Sequence, residues 1–309
     1  MMKKAVLVMA YGGPDSLDDI EPYLLDIRGG RATSPELIEE IRERYARIGG
    51  RSPLLAITQT QAQALEQALN ARSSSGPYQV YVGMRHWKPY IRDIVAQIAA
   101  EGYKSLLAFC MAPHASKMST GAYRQRLNEA VAGLPDPDFQ TDFIESWFDQ
   151  PFLIRSLAGK VRRAVEQFSP DERAQIHYVF TAHSLPAAIM QQGDPYETQL
   201  NHTARLLADE LGLAPNQYQF GYQSAGAAGG RWLGPSIEDV LPELPKAGKK
   251  CVLVTPIGFM ADHVEILFDL DIEAQEIAHQ HGIRMVRSQS LNASPDFIEG
   301  LADFLLQEA

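Results

Sequence analysis

The chain has 309 residues, 45% of them hydrophobic, and a formal net charge of −10. That length can bury a sizeable core in two domains or one large α/β unit, with no need for disulfides or a structural metal. The acidic balance and the lack of a basic tract argue against a nucleic-acid partner, two cysteines cannot supply a four-cysteine iron–sulfur cluster, and no stretch approaches the roughly 20 apolar residues of a membrane span.

The first apolar run, Lys4–Ala10, briefly imitates a signal peptide behind Met1-Met2-Lys3. It is short, has no small-residue cleavage pattern and ends at Tyr11-Gly12-Gly13-Pro14, so a buried strand is the better reading. Further runs follow at Tyr78–Met84, Ser105–Ala112, His177–Ala182, Tyr218–Tyr222 and Lys250–Ile257. Apolarity without alternation marks strands covered on both faces. Helical spacing appears between them, first over Pro35–Ile48, where Ser34 is set to cap and Pro35 to occupy the first turn. Pro89–Ala100, Pro195–Leu211, Val264–His281 and Pro295–Gln307 show the same spacing. Cys110 and Cys251 both fall inside apolar runs and read as buried thiols of a reducing, cytoplasmic compartment.

Strands alternating with helices imply parallel sheets with right-handed crossovers. A faint repeat supports two similar halves: Trp87-Lys88-Pro89-Tyr90-Ile91 and Trp232-Leu233-Gly234-Pro235-Ser236-Ile237 each open a helix after a strand. Chance resemblance stays open, because Trp, Pro and Asp all favour helix starts. The expected division is residues 1–118 joined by a C-terminal helix at 290–309, and residues 119–289.

Ligands of such sheets sit beyond the carboxyl ends of the strands. That rule selects Tyr11, Arg85-His86-Trp87, Pro113-His114, His183-Ser184-Leu185-Pro186, Gln223-Ser224 and Gly258-Phe259. An imidazole at the mouth of a sheet, such as His183, can ligate a metal or take a proton near neutral pH, or simply cap a helix. Glu265, Asp269 and Glu273 are spaced i, i+4, i+8 and so share one helix stripe. A cation would relieve their mutual repulsion, and a solvated acidic face is the bland alternative. The chain has no P-loop, and no Gly-x-Gly-x-x-Gly opens a helix after a strand. Gly226–Gly230 reads as a flexible loop.

Eight motifs in order over nearly the whole chain resemble the ferrochelatase family. They are Ala10-Tyr11-Gly12-Gly13-Pro14; Arg44-Tyr45 with Ile48-Gly49-Gly50-Arg51-Ser52-Pro53-Leu54; Gly83-Met84-Arg85-His86-Trp87-Lys88-Pro89; Pro113-His114; Thr181-Ala182-His183-Ser184-Leu185-Pro186; Gly193-Asp194-Pro195-Tyr196; Trp232-Leu233-Gly234-Pro235; and Pro256-Ile257-Gly258-Phe259-Met260-Ala261-Asp262-His263-Val264-Glu265. The resemblance implies two Rossmann-like halves with a porphyrin cleft between them. His183 matches the family's active-site histidine and Glu265 its partner carboxylate, both handling Fe2+ as substrate. Asp269 and Glu273 match an outer acidic line that passes metal inward or holds Mg2+.

Tyrosine at position 11 resembles the coproporphyrin III type, where it is an axial iron ligand in the product. Porphyrin contacts carried over by motif position are Tyr11, Arg28, Arg44, Tyr45, Ser52, Tyr123 and His86. Gly29 stands where that type has a second arginine, which weakens the rim assignment; Arg31 can substitute. The chain ends at Ala309 without a cysteine-bearing extension, so no iron–sulfur cluster and no permanently bound cofactor are expected. The resemblance further implies a monomer with no membrane segment, in transient contact with other haem-pathway enzymes. A protoporphyrin IX enzyme, a non-catalytic tetrapyrrole carrier and a cobalt chelatase remain open alternatives.

Overall fold

A computed structural model describes residues 4–73, 76–226 and 230–308. Residues 1–3, read above as the start of the signal-peptide imitation, residues 227–229 of the glycine-rich loop, and the last residue lie outside it.

The described elements divide into two compact units. The first opens with β1 (Lys4–Ala10), α1 (Ile20–Ile27), α2 (Pro35–Arg47) and α3 (Leu54–Arg72). It continues through β2 (Tyr78–Met84), α4 (Ile91–Ala100), β3 (Ser105–Cys110), α5 (Thr120–Ala132) and β4 (Gln140–Ile144). The second holds α6 (Pro151–Val165), α7 (Pro170–Arg173), β5 (Ile176–His183), α8 (Tyr196–Leu211), β6 (Tyr218–Gln223), α9 (Ile237–Glu243) and β7 (Cys251–Pro256). Then come α10 (Val264–Leu267), a π-helical segment (Asp269–Ala274), α11 (Gln275–Gln280) and β8 (Arg284–Arg287). The chain finally returns to the first unit with α12 (Pro295–Glu308), which packs on α3.

Both sheets are parallel and share one order, β2-β1-β3-β4 and β6-β5-β7-β8. Flanking helices bury their central strands. Every residue of β1 after Lys4 is buried, as is all of β7. This explains why those strands read as unbroken apolar runs. Cys110 and Cys251 are buried free thiols in β3 and β7.

The internal repeat is structural. Met84 at the end of β2 donates its N–H to Pro89 O at 2.7 Å, and Tyr222 near the end of β6 donates to Pro235 O at 2.8 Å. Parallel bridges Met84–Tyr90 and Tyr222–Ser236 accompany them, and α4 and α9 begin directly after, at Ile91 and Ile237. Ala10 pairs with Met84 and Ala182 with Tyr222. Tyr11 and His183, the next residues, therefore hold equivalent positions in the two copies.

Two expectations change. The boundary expected at residue 118 fails because α5 and β4 belong to the first unit: β4 extends the sheet beside β3, in register from Ser105–Gln140 to Phe109–Ile144. The second unit instead takes His114–Ser116 and Phe148–Leu291. Val264–His281 is not one α-helix; both Ile272 and Glu273 donate to Phe268 O, at 3.1 and 3.0 Å, and the second of these bonds is the i to i+5 bond of a π turn. Ser34, by contrast, caps α2 as read, accepting from Leu37 N with Pro35 in the first turn. No helix among the described residues is long and apolar enough to cross a membrane.

Candidate active site

In each sheet the strand order reverses beside the first strand, and the crevice of a doubly wound sheet opens at the carboxyl ends there. In the second unit that point lies between β5 and β7. His183 ends β5, and the loop after β7 leads into α10, which carries Glu265. Gly258 lets this loop approach: a Cβ there would lie 2.6 Å from Ala182 Cβ. Any larger residue would lift the loop away from the residue next to His183.

His183 Nε2 stands 3.5 Å from Glu265 Oε1, and each side chain is about a third exposed, at 30% and 33%. The other ring nitrogen, Nδ1, donates to the Ser184 carbonyl, which turns Nε2 towards the carboxylate. Burial opposes charging of this imidazole. The Glu265 carboxylate, the Ser184 carbonyl and Asp269 outweigh it and push the pKa up to about 9.

The surrounding motifs fix that strand end. Tyr196 Oη donates to His183 O at 3.0 Å. Ser184, 1% exposed, donates Oγ to Leu233 O at 2.8 Å. Pro186 bridges to Trp232, so the His-Ser-Leu-Pro and Trp-Leu-Gly-Pro segments form one fastening. Asp194 accepts from Tyr196 N and from the Ser116 hydroxyl. On the other side, His263 caps α10 by accepting from Glu265 N at 3.2 Å. Burial lowers the His263 pKa, which suits an imidazole with an accepting Nδ1.

The acidic residues are placed less simply than a single α-helical stripe. Asp269 is 4% exposed and accepts from the Ser224 hydroxyl. Glu273 is half-buried on the π turn. In an α-helix a step of four residues over-rotates by roughly 40°, and the wider π turn counters that drift. Among the described residues no group of three His, Cys, Asp or Glu side chains is arranged to hold a metal ion.

The residues carried over as porphyrin contacts lie in the first unit. Tyr11 is 39% exposed beyond β1, and its ring centroid is 4.7 Å from that of His86. His86 is buried and pairs through Nδ1 with Asp26 Oδ1 at 2.8 Å. Burial lowers its pKa against the pull of Asp26. The Arg85 guanidinium lies over both Tyr11 and Tyr123, at 5.7 and 5.5 Å. Ser52 packs against the Gly13 backbone with Tyr45 Oη nearby, and Ser52 N donates to Pro14 O. Tyr45 and Tyr123 are buried, at 3% and 5%. Arg44 pairs with Glu40 at 3.0 Å, and Arg28 is exposed at the end of α1.

The strand-end rule picks out Arg85, Gln223 and Ser224, but the sequence alone assigns none of them a contact. Their partners lie up to 45 residues away in sequence, and no local pattern announces such contacts.

The sequence model of the ferrochelatase family matches residues 3–309. A protein described as ferrochelatase from Deinococcus radiodurans is 41% identical over 304 residues, covering 98% of this chain and 95% of its own length. Proteins described as coproporphyrin III ferrochelatase from Oceanobacillus iheyensis and Geobacillus kaustophilus are 38% and 39% identical, each covering 99% of this chain and 97% of their own length. Among solved structures, SirB from Bacillus subtilis with Fe3+ superposes with a TM-score of 0.61 at 11% identity, covering 100% of this chain and 96% of its own. CbiX, described as the terminal enzyme of sirohaem biosynthesis in denitrifying bacteria, gives 0.55 at 13% identity, covering 99% and 100%. At those identities the two structures bear on the fold alone.

Proposed function

The chain belongs to the ferrochelatase family, the metal chelatases of haem biosynthesis, and on that premise we propose that it inserts Fe2+ into coproporphyrin III, with His183 and Glu265 as the reacting pair. The observation that carries this reading is the 3.5 Å approach of His183 Nε2 to Glu265 Oε1 at the switch point of the second sheet.

The reaction has two obstacles: Fe2+ must shed water, and the macrocycle must lose two pyrrole protons. At neutral pH an imidazole with a pKa of about 9 holds a proton beside the carboxylate. A dication arriving at Glu265 removes the charge that stabilised the imidazolium, so the partly exposed His183 gives up that proton to water. Nε2 is then a free base that accepts the two pyrrole protons in turn, passing the first to water before taking the second, while Nδ1 stays anchored on the Ser184 carbonyl. A planar free base keeps its nitrogen lone pairs in the ring plane. Binding a saddled form turns them out of the plane and spends remote binding contacts on distortion.

Coproporphyrin III is favoured by Tyr11, whose exposed phenol can ligate iron in the product, and by the relatives that carry that name. Its four propionates call for cations and hydroxyls. Arg28, Arg44, Ser52, Tyr45 and Tyr123 supply them in this scheme. Arg44 would exchange Glu40 for a propionate, at small cost for so exposed a pair. Asp269 and Glu273 form the outer acidic line in the same scheme. Anaerobic assays with Fe2+ and each porphyrin test the substrate: coproporphyrin III should be converted faster than protoporphyrin IX. Equal or reversed rates would reject the substrate and leave the reaction class standing.

A further inference from the structure

We propose that Gln223 and Ser224, successive residues at the end of β6, are the positioning residues of the iron-handling carboxylates: Gln223 sets Glu265 against His183, and Ser224 holds Asp269 one helical turn further on. The proposal rests on the roles given above to His183 and Glu265.

Gln223 reaches the main chain beside both members of the pair. It is the register partner of His183 across the β5–β6 ladder. Its carbonyl accepts from Ser184 N at 2.7 Å. Its side-chain Nε2 donates to Glu265 O at 2.6 Å. One residue thus ties the end of the histidine strand to the turn that carries the carboxylate. The residue is 1% exposed, and its Oε1 is buried with no hydrogen-bond partner among the described residues. An unpartnered buried amide oxygen is costly, and an apolar side chain of similar size would avoid it. An amide at this position makes sense as the donor that reaches Glu265.

Ser224 works differently. Along a strand, successive side chains point to opposite faces, so residues 223 and 224 would not both reach one helix. Ser224 breaks the alternation with a φ of +60°, a left-handed conformation that serine seldom adopts. Its hydroxyl then reaches Asp269 Oδ2. Strained backbone of this kind persists where the surroundings hold it in place, and it clusters at functional sites. Gln223 and Ser224 therefore grip two successive carboxylate-bearing turns.

Four variants test this by steady-state kinetics with Fe2+ and coproporphyrin III, with circular dichroism and porphyrin fluorescence titration as checks of fold and binding. Gln223→Leu should lower kcat about 10–100-fold with porphyrin KM unchanged, the usual scale for a partner that orients a metal-handling group. Gln223→Met replaces it if the branched side chain does not fold. Ser224→Gly keeps the left-handed backbone but loses the hydroxyl, and should raise the metal KM by a similar factor. Ser224→Asn tolerates the same backbone and restores a donor, and should return the metal KM to within about threefold of the parent. The proposal is overturned if Gln223→Leu and Ser224→Gly keep parental kinetics, if Ser224→Asn is no better than Ser224→Gly, or if porphyrin affinity falls as far as turnover. His183→Ala separates the two levels. If it stays active, the reading of the pair itself fails. If it is inactive while the Gln223 and Ser224 variants match the parent, only the positioning role fails.

Discussion

Arg287 grips Asp271 with two hydrogen bonds, Nε to Oδ1 at 2.6 Å and Nη2 to Oδ2 at 2.7 Å. Arg287 belongs to the edge strand β8 and Asp271 to the π turn. The same guanidinium lies 3.4 Å from Asp262, which the Ser290 hydroxyl also holds. One cation therefore secures the segment carrying Glu265 on both sides of that residue. The arginine is 12% exposed and Asp271 33%, so the pair is only partly dry. Arg287→Met should cost about 2–3 kcal/mol in urea unfolding, below the full value for breaking a buried pair. Adding Asp271→Asn should recover part of it. Strictly additive costs would show that the two residues do not depend on each other.

His183→Ala should lose metal insertion by about 10²–10⁴-fold, the range for removing a group that moves protons. Porphyrin should still bind, because the side chain contributes little area. Fluorescence titration beside an anaerobic turnover assay measures both, and unchanged turnover would refute the assignment.

Tyr11→Met should leave porphyrin binding largely intact while altering the product. The absorption and electron paramagnetic resonance spectra of bound Fe-coproporphyrin should lose the signature of a phenolate ligand. Identical spectra from parent and variant would remove Tyr11 from the iron.

The double variant Asp269→Ala, Glu273→Ala should raise the KM for Fe2+ by about 10–100-fold and that for porphyrin much less. A rise shared equally by both substrates would return these residues to a structural role.

Stability should peak near neutral pH. The folded pKa of His183 is raised to about 9, so its contribution is complete below the ordinary value of 6.5 and is lost as pH rises through 9. Burial lowers His114 to about 3, so its contribution is complete above 6.5 and is lost as pH falls below that. Burial likewise lowers His177 to about 4. Each group adds a slope of at most about 1.4 kcal/mol per pH unit. Denaturant titrations at pH 5, 7 and 9 read both limbs, and His183→Ala should flatten the alkaline one. An alkaline limb that survives the substitution belongs to another group.

Six strands could be read directly from their apolar runs, most plainly the central β1, β3, β5 and β7, where burial on both faces leaves a compositional mark. β4 and β8 could not. Both are short edge strands, of five and four residues, and the exposed or half-exposed positions of Gln140–Ile144 blur any pattern. The π turn has no signal either: no proline or glycine interrupts Val264–His281, and a partner of the turn, Arg287, lies 16 residues from Asp271. The pairing of His183 with Glu265 was legible as far as their approach goes, because each stands in a long motif beside a strand end. Gln223 was visible only as a strand end. Its hydrogen bond to Glu265 spans 42 residues, which sequence spacing does not encode.

Because β1 and β5 head matching sheets, the residue just past Ala10 and the residue just past Ala182 share one architectural address. One copy has a phenol there and the other an imidazole. A doubled scaffold lets these sites diverge independently, since each is braced by its own sheet. On the roles proposed above, selection can retune the grip on the finished product at 11 without disturbing proton traffic at 183, a freedom that a single undivided sheet would not have.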